Sequence, residues 1–232
     1  MENYTIEKFG RITPEGPNCG LGDTRPGHEI EWVHINGIYV AKRNLRSSIS
    51  WDELNAEGLI FGKRITIDRR PFLCRVPSIG LGEETGANEW SRLVDATSAD
   101  AGFWAWTGCW SWAQESMAPK GHGMTEHKGC FGYMSAKMWG WQPPNRKSNI
   151  IGWRPILEPI VELEPDMIGK LVQVGFNAIE IHGYLAEFTD YDLVLEFPVP
   201  VPNGETGAVS INKGFRWVLA RDRITYVLEE GD

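Results

Sequence analysis

Residues 103–112 read FWAWTGCWSW and begin the region around which the chain is organised. The region continues with GCFGYMSAK at residues 129–137 and closes with IIGWRP at residues 150–155. Seven of the chain's eleven tryptophans lie between Trp104 and Trp153. The four at positions 104, 106, 110 and 112 share one parity, so an extended segment would place them on one face. This concentration indicates either the aromatic core of a small domain or a stacking surface.

The order of short motifs in this region resembles the C-terminal core of the C-type-lectin fold. It is most similar to the branch of formylglycine-generating enzymes and retroelement variable proteins, where W-E-W-T, R-G-G-S-W, S-A-R and G-F-R follow one another. The corresponding segments here are 104–107, 129–133, 135–137 and 152–154, of which the second matches loosely. The run from Asn3 to Pro159 also resembles proteins of Firmicutes phages and prophages that carry this core. The resemblance implies an α+β fold, with short helices and twisted antiparallel strands around a C-type-lectin-like core.

The chain is predicted to fold as three parts. Residues 1–30 are expected to form an irregular arm, because glycine and proline punctuate them too densely for a long regular element. Residues 31–160 hold the lectin-like domain, and a proline-rich linker follows it. Residues 165–232 are expected to form a small all-β barrel of five short strands, with a bend at Gly183. Their motifs I-G-K-x-V-x-V, D-Y-D-L-V-L-E and R-D-R-I-T-Y-V resemble those of an Sm-like barrel.

Local patterns predict several elements in the first hundred residues. Asn36-Gly37 between apolar runs is a strong hairpin signal, and a second hairpin is expected to turn at residues 69–71. Ser50 followed by Glu53 predicts a short helix that begins with a capping box. Another helix is expected to begin at residues 88–89 and to present its apolar side chains on one face.

The composition excludes several classes of function. With 232 residues and 42% hydrophobic content, the chain is long enough to bury a sizeable core. The net charge of −8 argues against nonspecific nucleic-acid binding, which needs clustered lysine and arginine. No apolar run is long enough to span a membrane, and no secretory signal is visible, so a cytosolic start is expected. The four cysteines are scattered, with no C-x-x-C pair, which indicates reduced thiols.

Two sets of residues bear on catalysis and metal binding. The resemblance implies a closely spaced copper-binding cysteine pair for an oxidase, but Cys109 and Cys130 lie 21 residues apart and outside the family's cysteine context. His122 and His127, with Glu126, would need a cysteine in addition to form a zinc site, and solvated loop histidines are the simpler interpretation. No nucleophile elbow, H-E-x-x-H helix or kinase signature is present. The sequence therefore predicts a non-enzymatic protein without metal or cofactor, with a formylglycine-generating-enzyme-like metal oxidase as the enzymatic alternative.

Binding is the function that this region favours. In the retroelement variable proteins the lectin-like core displays its contact side chains near the second and third motifs, so by resemblance the matching surface spans residues 110–142. The candidate contact residues are Trp110, Trp112, His122, His127, Tyr133, Lys137, Trp139 and Trp141. Exposed Trp and Tyr make good interface anchors because they bury a large area at a small entropic cost. Residues 139–144 (WGWQPP) are expected to be the most exposed part, and Arg154 to complete a buried hydrogen-bonded pair.

These observations predict a phage- or prophage-encoded protein that binds a protein or glycan partner through its aromatic-rich lectin-like surface. The partner is expected to be a host-surface receptor or a virion component. The alternative is an inhibitor of a bacterial defence system, of the anti-CRISPR type, whose acidic charge occupies a basic nucleic-acid channel. The expected location is the cytoplasm of a bacterial host, with the virion as the alternative.

The Sm-like domain is expected to serve protein interaction or oligomerisation. Sm-like barrels in known families bind RNA through basic and aromatic loop residues. Residues 165–232 hold 5 basic and 11 acidic residues, a balance that disfavours RNA binding by this copy.

Overall fold

The computed structural model describes residues 4–13, 20–80, 88–117, 126–177, 179–202, 207–211 and 214–230. Strands hold 49% of the described residues and helices 13%, in three antiparallel or mixed sheets, one of which curls into a half-barrel. The predicted combination of short helices with antiparallel strands is confirmed at this level, and β structure dominates. The contacts divide the chain into two compact units, Met1–Asp68 with Phe72–Glu158 and Arg69–Pro71 with Pro159–Asp232. None of the described helices has the length and apolar character of a membrane-spanning segment.

The first unit combines short strands and short helices with one long N-terminal strand. Its strands are β1 (Tyr4–Ile12), β2 (Leu21–Gly22), β3 (Glu29–Ile35), β4 (Ile38–Ala41), β5 (Arg46–Ser47), β6 (Lys63–Ile67), β7 (Arg70–Arg75), β8 (Trp110–Met117), β9 (His127–Gly132), β10 (Trp139–Gln142), β11 (Ile151–Trp153) and β12 (Ile156–Pro159). Its helices are α1 (Trp51–Ala56), α2 (Glu89–Ala96) and α3 (Ala101–Trp104).

Two sheets form the first unit. The larger has the strand order β2-β1-β3-β4-β12-β7-β6, and the smaller has the order β10-β9-β8-β11-β5. Pairing in the smaller sheet is antiparallel except between β8 and β11, which run parallel. In the larger sheet Val40 of β4 pairs with Ile156 of β12, so the early and the late strands of the unit lie side by side.

The smaller sheet separates two clusters of buried side chains. Successive residues of a strand alternate between the two faces of a sheet. Trp112 lies opposite Cys130, and both belong to the first cluster. Phe131, the next residue of β9, belongs to the second cluster, together with Trp90 of α2 and Trp104 of α3. The aromatic rings therefore fill the interior on both faces of this sheet, where their burial contributes strongly to stability.

Both predicted hairpins of the first unit are present. β3 and β4 pair around Asn36 and Gly37, which both have positive φ. β6 and β7 are neighbours in the larger sheet, and the turn between them holds Asp68 and Arg69 at positive φ. This turn comes earlier than the expected residues 69–71, because Pro71 already lies in β7.

The two predicted helix starts are confirmed by their caps. The side chain of Ser50 accepts a hydrogen bond from the backbone N–H of Glu53, and the Glu53 carboxylate accepts one from the backbone N–H of Ser50. At α2, the side chain of Asn88 accepts a hydrogen bond from the backbone N–H of Ser91. Each cap satisfies backbone donors that the first helical turn leaves unpaired.

The expected irregular arm at residues 1–30 is wrong for its first part. Tyr4–Ile12 is β1, a strand of nine residues that pairs with β3. Its pattern is hard to recognise from the sequence because only Phe9 and Gly10 are buried. The pairing partner lies some twenty residues away, and long-range pairing overrides weak local propensity. The Gly- and Pro-rich residues 14–19 lie outside the described part.

The shared face expected for the four tryptophans is also wrong. Trp104 ends α3, and Ala105 follows with a φ of 46°, so the segment is not extended there. Trp104 lies in the second buried cluster, whereas Trp110 and Trp112 lie in the first. The parity of side chains applies only within one strand, and here a helix end interrupts it.

The second unit is a six-stranded sheet. Its strands are β13 (Leu171–Phe176), β14 (Ile179–Phe188), β15 (Asp192–Glu196), β16 (Val209–Ile211), β17 (Arg216–Ala220) and β18 (Ile224–Glu229), with single 3-10 turns at Pro165–Met167 and Arg221–Arg223. The strand order is β16-β17-β15-β14-β13-β18. Within the described residues β16 and β18 end the sheet without pairing with each other, so it is open there, not the closed barrel expected. β16 is the strand beyond the five predicted.

The expected bend at Gly183 is displaced along β14. The register with β15 shifts between Leu185 and Glu187, and it is regular at Gly183 in the pairing with β13. A Cβ atom at Gly183 would lie 3.0 Å from the ring of Phe197. The glycine therefore permits close packing of that ring, and the irregularity lies at Ala186.

Candidate binding site

β10 carries two tryptophans at the edge of the smaller sheet. β9 and β10 pair antiparallel, with Trp139 opposite Phe131 and Trp141 opposite Gly129. The two indole rings form a T-shaped pair whose centroids lie 5.9 Å apart. Trp139 is 41% exposed and Trp141 is half-buried. We call Trp139, Gly140 and Trp141 the aromatic edge.

The residue between the two rings shows which way they point. A Cβ atom at Gly140 would lie 3.1 Å from the ring of Trp110, so this position faces the first buried cluster. Neighbouring residues of a strand point to opposite faces, so Trp139 and Trp141 point away from that cluster. Neither ring belongs to the buried clusters that the described residues form. The aromatic edge therefore presents its rings at the surface, outside the packed interior.

Two of the predicted contact residues are core residues. Trp112 is fully buried, and its indole N–H donates a hydrogen bond of 2.8 Å to the carbonyl oxygen of Ile49. Trp110 is 9% exposed, and its ring stacks on the ring of Tyr133 with centroids 5.3 Å apart. In this conformation both tryptophans stabilise the fold, and neither ring is open to a partner.

Tyr133 and Lys137 lie in the turn that joins β9 to β10. Tyr133 is half-buried and has a φ of 75°. Its ring covers Trp110, so it forms the border between the interior and the surface. Lys137 is exposed and forms an ion pair with Asp95 of α2. These two residues lie near the aromatic edge, whereas the ring of Trp110 lies against Gly140 and Trp112 lies in the interior.

Of the two predicted histidines, the structure describes only His127. His127 begins β9 and lies opposite Met117 of β8. It stands beyond Lys128, which pairs with Gln142 at the far end of β10. His122 lies outside the described residues. The described part of the chain contains no group of three His, Cys, Asp or Glu side chains placed to hold a metal ion.

The two central thiols have different surroundings. Cys130 is fully buried beneath Gly140, and this burial raises the pKa of its thiol to about 12. The positive charge of Arg146 acts in the opposite direction and lowers it by less. Cys109 is partly exposed and accepts a hydrogen bond of 3.2 Å from the side-chain amide of Asn44. Both are free thiols. A buried neutral thiol is a poor nucleophile, because the thiolate is the reactive form.

Arg154 is buried, as expected, but it is bound to the backbone and not to a carboxylate. Its guanidinium donates hydrogen bonds to the carbonyl oxygens of Ala41, Lys42 and Trp104, at 2.7 to 3.1 Å. It also donates to the hydroxyl of Ser111 at 3.2 Å. Burial lowers the pKa of Arg154. These contacts assign it a structural role, holding separate segments of the first unit together.

A charged groove of about 770 Å³ in the first unit was not predicted from the sequence. Glu31 holds Lys8 at 3.1 Å and Lys42 at 3.5 Å, and this contact with Lys8 is the main reason why the pKa of Glu31 is lowered. The lining also includes Arg43 and the ring of Phe103. Several lining residues come from the segment interpreted as an irregular arm. The available signal was the alternation of Glu29, Ile30 and Glu31 in β3.

Comparison with known proteins finds no similarity for this chain: no family model, curated protein or solved structure matches it.

Proposed function

We propose that this chain is a non-catalytic binding protein that recognises a macromolecular partner through the aromatic edge. The observation that carries the proposal is the T-shaped pair of Trp139 and Trp141, which lies on an edge strand and outside both buried clusters. Apolar area left in contact with water is unfavourable by about 25 cal/mol per Å². Covering the two rings with a partner would recover this free energy, and tryptophan is a frequent anchor of protein interfaces.

We also propose the lectin-like fold for the first unit, because the structure supports the motif order that suggested it. Arg154 of the last motif donates to the carbonyl oxygen of Trp104 in the first. Thr107 of the first motif forms a bridge with Tyr133 of the second. Ala136 of the third motif accepts a hydrogen bond from the indole N–H of Trp90. The ring of Trp90 in turn lies 5.0 Å from the ring of Trp104, so the four motifs form one contact network.

The resemblance to phage and prophage proteins favours a bacterial partner, on the host surface, in the virion or in a defence complex. The test is capture of partners from a bacterial lysate and a cell-surface fraction, identified by mass spectrometry. The double variant Trp139→Ala/Trp141→Ala is expected to lose the partner that the wild-type chain retains. Its circular dichroism spectrum is expected to stay native, because the rings lie outside the core.

Tyr191→Ala supplies the matched control. Tyr191 is 81% exposed and lies in the second unit, so its removal also deletes an exposed aromatic ring. This variant is expected to capture the partner as the wild-type chain does. Retention of the partner by the double tryptophan variant, with a native spectrum, would reject the aromatic edge as the contact surface.

A further inference from the structure

The backbone of β10 has a definite orientation at the sheet edge. The backbone N–H of Gly132 donates a hydrogen bond of 2.8 Å to the carbonyl oxygen of Met138. In an antiparallel pair, residues with groups facing the partner strand alternate with residues whose groups face away. Gly140, two residues after Met138, therefore faces β9, and Trp139 and Trp141 direct their backbone N–H and C=O groups away from it.

The outward backbone groups thus belong to the two residues that carry the rings of the aromatic edge. Outside the ladder with β9, no hydrogen bond of the described residues involves the backbone N–H or C=O of Trp139 or Trp141, and the register turns these groups away from β9. β10 is also the last strand of its sheet. An edge strand with free donors and acceptors is a template for one more strand. The geometry needed for strand addition and the aromatic anchors therefore coincide.

The two faces of the edge define the chemistry of a strand that would pair there. Its residues on the ring side would contact Trp139 and Trp141, which favours apolar side chains. The other face holds Gly140. Arg146 lies in the turn that follows β10, where its backbone N–H donates a hydrogen bond of 3.0 Å to the carbonyl oxygen of Pro143. Its charge also acts on the thiol of Cys130, the residue opposite Gly140. Arg146 is exposed and forms no ion pair within the described residues, whereas Lys137 and Lys147 pair with acidic side chains. This face favours an acidic side chain.

We propose that the aromatic edge binds an extended segment of a protein partner by strand addition, with apolar residues on the ring side alternating with acidic residues toward Arg146. The inference rests on the proposed function, since it specifies how that surface takes its partner. Main-chain hydrogen bonds supply affinity in this mode, and the alternating side chains supply specificity. A glycan would use the rings without needing the outward N–H groups, so it is an outcome that the test distinguishes.

The probe is a short fluorescent peptide of alternating leucine and glutamate, with a scrambled peptide of the same composition as its control. The key comparison is Trp141→Pro against Trp141→Ala. Both variants lack the ring, but only the proline variant also lacks the outward N–H. Because that N–H makes no bond to β9, proline is compatible with this edge position. Loss of one hydrogen bond is expected to weaken peptide binding by a further factor of roughly three to ten.

Hydrogen exchange of the wild-type chain provides a second measurement that needs no substitution. Adding the alternating peptide is expected to slow exchange of the Trp139 and Trp141 amides and to leave the Gly140 amide unchanged. Equal affinities of the alanine and proline variants, with no amide slowed, would overturn strand addition while leaving the aromatic edge as a contact surface. Equal binding of the alternating and scrambled peptides would also overturn it. If Trp139→Ala/Trp141→Ala binds both the peptide and the captured partner as the wild-type chain does, the proposed function itself fails.

Discussion

Two segments of this chain have the same Trp-x-Trp spacing and opposite surroundings. Trp110-Ser111-Trp112 lies on β8, an inner strand, and its rings are 9% and 0% exposed. Trp139-Gly140-Trp141 lies on β10, the edge strand, with the first ring 41% exposed and the second half-buried. The residue between the two tryptophans also has different contacts in the two segments. Ser111 is buried and hydrogen-bonded to Asn44 and Arg154, whereas Gly140 lies against the ring of Trp110.

The sheet, and not the local motif, decides what a tryptophan pair does in this chain. Both segments alternate their side chains between two faces. On β8 both faces are covered by packed clusters. On β10 the side of Gly140 faces the first cluster, and the rings lie beyond the limit of the second. The inner pair therefore serves stability, and we propose that the edge pair serves binding.

The largest expected difference between the two pairs is in stability. Trp112→Ala should lower the free energy of unfolding of the first unit by about 3–5 kcal/mol, because it leaves a large cavity. It also removes the hydrogen bond to Ile49. Trp139→Ala should cost less than about 1 kcal/mol, as is usual for surface positions. Denaturant unfolding followed by circular dichroism measures both. Similar losses of unfolding free energy for the two variants would contradict the assignment of Trp112 to the core and Trp139 to the surface.

Thiol labelling tests whether Cys130 of β9, the strand between the two tryptophan pairs, is shielded from solvent. Cys130 lies opposite Trp112 on one side and Gly140 on the other. Its pKa, raised by burial to about 12 from an ordinary 9.0, makes the thiolate about a thousandfold scarcer at a given pH. In native protein at pH 8, a thiol reagent is expected to modify Cys109 and to spare Cys130. Peptide mass spectrometry locates the label, and denatured protein is the control. Rapid native labelling of Cys130 would show that the edge does not cover it.

Gly140→Ala adds one methyl group between the two tryptophan pairs. The new Cβ would lie 3.1 Å from the ring of Trp110, which is closer than relaxed packing allows. Overpacking of this kind costs about 1–3 kcal/mol. Thermal unfolding measures the loss. Combining the substitution with Trp110→Phe, which removes the ring atoms concerned, should recover part of it, and simple additivity of the two losses would argue against this contact.

The smallest expected effect concerns polar side chains on the outer face of the second unit. His182 of β14 contacts Glu230 and lies 2.9 Å from Glu180, and the carboxylate of Glu180 also accepts hydrogen bonds from Tyr226 and Gln173. The contacts with Glu230 and then Glu180 raise the pKa of His182 above its ordinary 6.5. The hydrogen bond from Tyr226, followed by those from Gln173 and His182, lowers the pKa of Glu180 below its ordinary 4.5.

These directions set a pH window for the stability of that unit. The contribution of protonated His182 is complete below its unfolded pKa of 6.5 and is lost as the pH rises through the higher folded value. The contribution of Glu180 is present above 4.5 and is lost as the pH falls through its lower folded value. The imidazole is 50% exposed, so we expect only about 0.5 kcal/mol. His182→Gln should reduce the pH dependence of the unfolding free energy between pH 6 and 9. An unchanged pH dependence would show that other groups cause it.

Elements with strong local signals could be predicted from the sequence. The Asn36-Gly37 hairpin and the caps of α1 and α2 depend on backbone chemistry within a few residues. These features need no knowledge of distant strands. The expectation that residues 139–144 are the most exposed part is wrong, because residues 139–142 form β10 and only Trp139 of this segment is exposed.

Features set by distant pairing could not be predicted. β1 is a strand because β3 lies beside it, although its own residues are mostly polar. Trp110 and Trp139 both begin a Trp-x-Trp segment, and the strand order places the first on an inner strand and the second on the edge. The charged groove depends on β1 in the same way, since Lys8 reaches Glu31 only when the two strands pair.

The brevity of β10 has a consequence for solubility. An open strand edge with aromatic side chains invites copies of a protein to associate without limit. Here the strand is four residues long, and Pro143 and Pro144 follow it. Proline lacks the N–H that a growing ladder needs, so an additional strand finds only a few bonding positions. The edge therefore offers few positions for the repeated pairing on which fibrils depend.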